Sequence, residues 1–159
     1  MPEAIFGGPI TKDHHYKFPH FFFAYGFWIV SSAAAEVLRQ FDLGSGGLYP
    51  VKAYRKKDLV TPIEGEWFCI NFGNVKQAFL PDESSNKNHN YIRDGRKGWF
   101  PRAGMKDLDF AFTSAATIGP DIWLDFDVGD VLFLSAELGD ALKKAKADKG
   151  FKLMKGRIV

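Results

Sequence analysis

The 159-residue sequence predicts an α+β fold: a mostly antiparallel or mixed sheet with two main helices, built on two strand–helix–strand units. Three observations lead to that reading. First, "FWIVSSAAAEVLRQFDLGSGGLYPV" and "VLFLSAELGDALKKAKADKGFKLM" share one order of apolar run, Ser, helical pattern, Gly and second apolar run, at an offset of 104 residues. Second, short apolar or alternating segments such as "GEWFCINF" and "DLDFAFTS" fill the chain between them, with the period of two that strands require. Third, polar and Gly- or Pro-containing stretches punctuate these segments at turn positions.

Along the chain, residues 1 to 25 read as an irregular N-terminal segment. The first unit, 26–54, runs from an apolar strand into Ser31, whose hydroxyl suits a helix N-cap. Ala34, Val37, Leu38 and Phe41 then recur at i, i+3, i+4 and i+7, one face of a helix. Gly46 or Gly47 reads as the stop, and "GLYPVKAY", 47–54, as a strand with Pro50 at an edge or bulge. After the turn "RKKD", the strands "GEWFCINF" (65–72) and "VKQAFL" (75–80) are expected to form a hairpin across "GN". Residues 81–98 read as the longest loop. "DLDFAFTS", 107–114, is expected to be a half-buried strand, and "DIWLDF", 121–126, a short one. The second unit, 131–157, repeats the first: strand, Ser135 as cap, a face of Leu138, Ala141, Leu142 and Ala145, and Gly150 as stop. No linker stands out, so a single domain over 1–159 is expected.

Composition narrows the function classes. A net charge of +2 gives no global push toward nucleic acid or membrane. The lone Cys69 excludes an internal disulfide and a Cys-based zinc cluster, and its apolar surroundings predict a buried, inert thiol. The apolar run 21–30 is shorter than the ~20 residues of a membrane span and is interrupted by Gly26. "SSAAA" imitates an export cleavage region, but Glu3 and Asp13 precede the run where a signal wants its basic and apolar regions. A cytoplasmic protein is expected.

Catalytic signatures are not found. "GSGG", 44–47, lacks the Lys-Ser/Thr of a phosphate loop and follows a helix instead of opening one. There is no nucleophile elbow and no His-Glu-x-x-His pair. Asp82 and Glu83 precede Ser84 and Ser85, a pattern that caps turns more readily than it transfers protons. His14, His15 and His20 offer an alternative, a small ligand- or metal-binding domain or enzyme using an aromatic pocket. Adjacent histidines in an extended segment point apart, however, which favours surface histidines. No catalytic residue, metal or cofactor is expected.

Charge is more informative. Asp107 to Leu142 holds eight carboxylates and no Lys or Arg, whereas Ser84 to Lys106 holds six bases and one acid. Lys143 to Arg157 holds seven bases and one acid. Such segments either lie side by side and cancel, or present an acidic surface that steers a basic protein partner.

The order of motifs resembles a known family. "FWIVSSAAAEVL", the "YPV" strand, "WFCIN", a Ser-Ser loop, "DIW", and the closing "LFLSAELGDALKKA" with "KGFKLM" are similar to immunity proteins of bacterial polymorphic toxin systems, the family numbered eleven, first catalogued as a domain of unknown function. The resemblance spans Phe27 to Met154; Val75-Lys76-Gln77 departs from it where an acidic residue would be expected. It implies a non-catalytic, stoichiometric antidote that binds a cognate protein toxin. With that role, the expected contact residues are Asp121, Trp123, Asp125, Asp127 and Asp130 on one segment and Arg93, Arg96, Trp99 and Phe100 on another, since Trp and Arg anchor interfaces and acids suit a basic toxin. For Trp123 the competing reading is a core tryptophan. An accessory interaction domain without a toxin partner is the third reading.

Overall fold

A computed structural model describes residues 2–8, 17–56, 58–93 and 95–159, without the side chains of 90–93, 96 and 97. The fold is α+β, with a mixed set of sheets and two α-helices among the described residues. Where the sequence reads as a single domain, the chain divides into two compact units. The first holds residues 1–41, 46–71 and 138–152, and the second holds 42–45, 72–137 and 153–159.

The first unit is a five-stranded sheet. Its strands are β1 (Ala4–Gly7), β2 (Phe21–Ala24), β3 (Phe27–Ser31), β4 (Gly47–Arg55) and β5 (Trp67–Asn71), in the order β1-β4-β5-β3-β2. The segment expected to be irregular, 1 to 25, supplies β1 and β2 among its described residues. The reason lies in pairing that short apolar runs do not announce: β1 lies parallel to β4, and β2 pairs antiparallel with β3 from Phe21–Val30 to Ala24–Phe27. The turn between β2 and β3 is Tyr25-Gly26, with φ of 51° and 87°, the positive values of a two-residue hairpin turn.

β3 and β4 are both antiparallel to β5 and so parallel to each other, with α1 (Ser32–Leu38) as the crossover and β5 inserted between them. Ser31 caps α1 as expected: its Oγ accepts from the Ala34 N–H at 3.4 Å, and His20 Nδ1 lies 2.7 Å from the same oxygen. One face of the sheet gathers Ile5, Ile29, Val51, Ala53, Trp67 and Cys69, with Phe18, Phe22 and Phe27 against them. On the other face Val30 and Ile70 are buried, and α1, packed on β3 and β5, buries Ala34, Ala35, Val37 and Leu38. β1 and β2, at opposite ends of the strand order, also touch, so the sheet curls toward an open barrel.

α2 (Ala136–Lys144) contributes buried Leu138 and Leu142. The chain after it returns to β2, where the Phe151 ring stacks on Phe21 at 4.1 Å and Lys149 O accepts the Phe21 N–H at 3.2 Å. Gly150 is not the helix stop. The Lys146 N–H reaches Lys143 O at 3.0 Å and the Ala147 N–H reaches Leu142 O at 2.9 Å, a Schellman closure with Lys146 left-handed at φ 55°. Gly150 is needed for another reason: a Cβ there would collide with the Phe21 carbonyl.

The second unit is built from short strands. β6 (Val75–Lys76), β10 (Ile122–Asp125) and β11 (Phe133–Leu134) form a sheet in the order β11-β10-β6. β7 (Lys87–Arg93) and β8 (Arg96–Pro101) form a hairpin, and β9 (Ala111–Phe112) pairs with β12 (Arg157–Ile158). A short 3-10 helix spans Ser114–Thr117. The core gathers Phe79, Phe110, Phe112, Ala116, Trp123 and Val128, with Trp99, Met105 and Phe133 packed around it.

Four expectations are corrected in this unit and its neighbour. β5 and β6 form no hairpin: β6 runs parallel to β10, because Asn74 Nδ2 donates to Leu43 O at 2.7 Å and Ile122 O at 3.0 Å and turns the chain toward β10. The loop 81–98 contains most of hairpin β7–β8; the sequence from 82 to 90 is wholly polar, so no apolar alternation reveals it. The strand 107–114 shrinks to β9, since Leu108 is left-handed at φ 69° and 54% exposed. The two strand–helix–strand units agree only to Leu38 and Leu142, because α1 ends before Phe41 and α2 before the exposed Ala145. Their strands also belong to different arrangements: β3 and β4 share one sheet, while β11 and β12 lie in two.

Leu38 and Leu142 are both fully buried. Leu38→Ala and Leu142→Ala should each destabilise the protein by ~2–5 kcal/mol in chemical denaturation. An unchanged midpoint at either position would show that its helix face is not packed as described.

Candidate interaction surface

The two segments singled out by the sequence, Arg93 to Phe100 and Asp121 to Asp130, meet in the second unit. The Trp99 N–H donates to Asp127 O at 2.8 Å, and the Gly129 N–H donates to Trp99 O at 2.9 Å. This parallel bridge across Val128 docks hairpin β7–β8 onto the loop that follows β10. Trp99 is half-buried: it packs on the core around Val128, the His89 ring meets it edge-on at 5.6 Å, and Lys87 Nζ lies 5.1 Å from its centroid. Phe100 is half-buried beside it. Arg93 and Arg96 face each other in backbone register at the hairpin end, and their side chains lie outside the described residues.

The acidic segment is split between interior and surface. Asp121 is half-buried and bonded to the chain near Asp42: its Oδ2 accepts the Asp42 N–H at 2.8 Å, and its own N–H donates to Asp42 O at 2.8 Å. Trp123 is only 4% exposed, stacked on Phe133 at 5.8 Å and 20°, with Lys76 Nζ 3.9 Å from its centroid. Asp125 is 2% exposed. Its Oδ2 accepts the N–H groups of Ala78 at 2.8 Å and Phe79 at 3.0 Å, and its Oδ1 accepts that of Asp127 at 3.0 Å. Trp123 and Asp125 are thus not contact residues: the first is core, and the second ties three backbone donors together. Asp127 is half-buried, with Gln77 Nε2 at 3.5 Å, and Asp130 is exposed.

No protein-family model, curated protein or solved structure matches the chain.

Electrostatics follow this placement. Burial pushes the Asp125 carboxyl above its ordinary range, against the pull of its three N–H donors, with Asp127 adding repulsion. Burial also lowers the Lys76 amine, against the attraction of Asp121 and Asp42, and that amine donates to Ala116 O at 3.0 Å. In contrast, hydrogen bonds from the Lys106 N–H, Asn86 and Ser85 hold half-buried Asp109 below the usual carboxylate range. Of the capping cluster read at 82–85, the serines carry the bonds: Ser84 Oγ donates to Leu80 O at 2.7 Å and accepts the Ala111 N–H at 2.9 Å, while Glu83 pairs with Arg157 at 3.9 Å.

The remaining candidates separate cleanly. His14 and His15 lie outside the described residues. His20 is engaged with Ser31 at the start of α1. Among the described residues, no group of three His, Cys, Asp or Glu side chains converges as metal ligands, and no helix is long and apolar enough to cross a membrane. Cys69 is fully buried, and burial raises its thiol pKa, as expected of an inert cysteine. Sequence reasoning missed Lys87, His89 and Lys76, the neighbours of the two tryptophans. Only recognition of hairpin β7–β8 and of the parallel β6–β10 pair could have brought them into view.

Asp125→Ala removes the acceptor from three backbone N–H groups, two of them on buried residues, and should destabilise by ~3 kcal/mol in urea titration. The pH dependence has a definite sign. A raised folded-state pKa means that Asp125's contribution is fully present below its unfolded value, ~3.9, and is lost as pH rises through the folded value. Wild type should therefore lose stability relative to Asp125→Asn as pH rises above ~4. A pH-independent difference would count against a raised carboxyl.

Proposed function

We propose that the chain is a non-catalytic immunity protein that binds and neutralises a cognate bacterial protein toxin one-to-one. The contact face in this reading is hairpin β7–β8 together with the loop after β10. The observation that carries it is the half-buried Trp99, locked by two backbone hydrogen bonds beside Asp127 and near exposed Asp130.

An anchor held in place before binding loses little conformational freedom on association, so its burial contributes more fully to affinity. Acids at the rim of such an anchor favour encounter with a basic partner, such as a nuclease toxin. Trp123 and Asp125 support the loop from within rather than meeting the partner. The resemblance of the strand and helix motifs to immunity family eleven supports the same reading, in which the protein acts in the cytoplasm.

Co-expression with the neighbouring toxin gene tests this. The wild type should protect cells and co-purify with the toxin. Trp99→Ala should weaken the complex by ~2 kcal/mol, and Asp130→Lys should slow association in a salt-dependent way. A chain that neither protects against nor binds that toxin would rule the reading out.

A further inference from the structure

The first unit contains a feature that toxin binding does not use. Where the curled sheet brings β1 near the β2–β3 turn, a cavity of about 370 Å3 opens, lined by Pro2, Ala4, Ile5, Phe6, Tyr25, Phe27 and Leu59. Its volume lies in the range of small-molecule sites, and its wall is almost wholly apolar.

Two of its wall residues are unusual. Tyr25 has φ 51° and is 61% exposed; Leu59 has φ 63° and is 53% exposed. Bulky side chains are disfavoured in left-handed backbone, and the first position of this hairpin turn favours Asn, Asp or Gly. Core packing does not explain their choice, since both side chains stand largely in solvent. Both conformations are held by the surrounding chain. Tyr25 sits in the β2–β3 turn with its ring edge-on to Phe6 at 6.3 Å, and Asp58 accepts the Val60 and Thr61 N–H groups at 3.1 and 2.8 Å on either side of the Leu59 turn. Two strained positions on separate loops thus aim exposed apolar groups at one cavity, and strain of this kind concentrates at ligand sites.

The charge at the rim identifies the ligand class. Lys56 is exposed with its Nζ 5.8 Å from the Tyr25 centroid, and Lys52 is exposed opposite Ala4 in the β1–β4 register. Residues paired in register point to the same side of a sheet, so Lys52 shares the side of Ala4 and Phe6. Asp58 is committed to its own turn through Val60 and Thr61, while exposed Glu3 follows the lining residue Pro2 in the chain. Residues from both sides of β1 line the cavity, and Lys56 is the cation placed against its wall, beside the Tyr25 ring.

We propose that this cavity binds a small anionic amphiphile, an apolar chain or ring system carrying a carboxylate, with the apolar body against Phe6, Tyr25, Phe27 and Leu59 and the carboxylate beside Lys56. The site does not depend on the toxin-binding reading.

Isothermal titration with dodecanoate, kept below its micelle concentration, tests this, with dodecanol and dodecyltrimethylammonium as matched neutral and cationic probes. Dodecanoate should bind once per chain and more tightly than either control. Tyr25→Asn and Leu59→Gly replace strained residues with ones suited to the backbone. Each should keep or raise the melting temperature while weakening dodecanoate about tenfold, an outcome that a purely structural role would not produce. Lys56→Gln should weaken dodecanoate and leave dodecanol unchanged. No saturable binding, equal binding of the cationic probe, undiminished binding by both Tyr25→Asn and Leu59→Gly, or uptake coupled to dimerisation of the chain would each overturn the proposal.

Discussion

The Asp125 carboxylate sits where three backbone N–H groups have no carbonyl to meet. The second unit depends on such substitutions. Outside hairpin β7–β8 its strands are two to four residues long, too short to satisfy the chain through ladders alone. Side chains complete the accounting: Asp125 serves the segment after β6 and the loop after β10, Asn74 joins Leu43 to Ile122, and Ser84 joins Leu80 to Ala111. Asp125 is the most demanding of these, because burial opposes its charge while the donors favour it. Remove that acceptor, and the loop that docks Trp99 loses its support from below.

The first unit rests on a different balance. Its strands are apolar on both faces near the centre, as β3 shows with Ile29 and Val30 both fully buried. One face closes around Trp67 and three phenylalanines, and the other is covered by α1. The split crossover β3–α1–β4 leaves room for β5 between its two parallel strands. Ser31 marks the switch from strand to helix and holds His20 there too, so a histidine that reads as a metal-ligand candidate becomes part of a helix start.

This construction leaves two kinds of apolar group at the surface, half-buried Trp99 and the exposed pair Tyr25 and Leu59. Trp99 is fixed by backbone bonds at the junction of two elements, a geometry suited to a protein interface. Tyr25 and Leu59 are fixed by turn conformations that their side chains disfavour, a geometry suited to a small ligand. In both cases the backbone fixes where the group stands.

The sequence by itself determined the α+β class, the Ser31 cap, the core positions Leu38 and Leu142, and the inert Cys69. Each follows from local periodicity or from residue chemistry that no distant partner changes. It also singled out both halves of the candidate surface, since Trp99 and the acidic run are conspicuous in isolation. Only the tertiary structure decided that Trp123 and Asp125 turn inward, because a two-residue alternation does not say which face of a short strand meets a core, and that the strand ends at Asp125, leaving Asp127 half-buried and Asp130 exposed. It alone also decided that β1 and β2 exist, that β6 pairs with β10, and that residues 81–98 hold most of a hairpin. β1 and the β6–β10 pair are set by hydrogen bonds between segments far apart in sequence, and hairpin β7–β8 by pairing of segments that carry no apolar alternation. The stretch "FFFAYGFWIV" shows both sides of this division: its apolar character was plain, but only pairing with β5 and closure at Tyr25-Gly26 made it a hairpin.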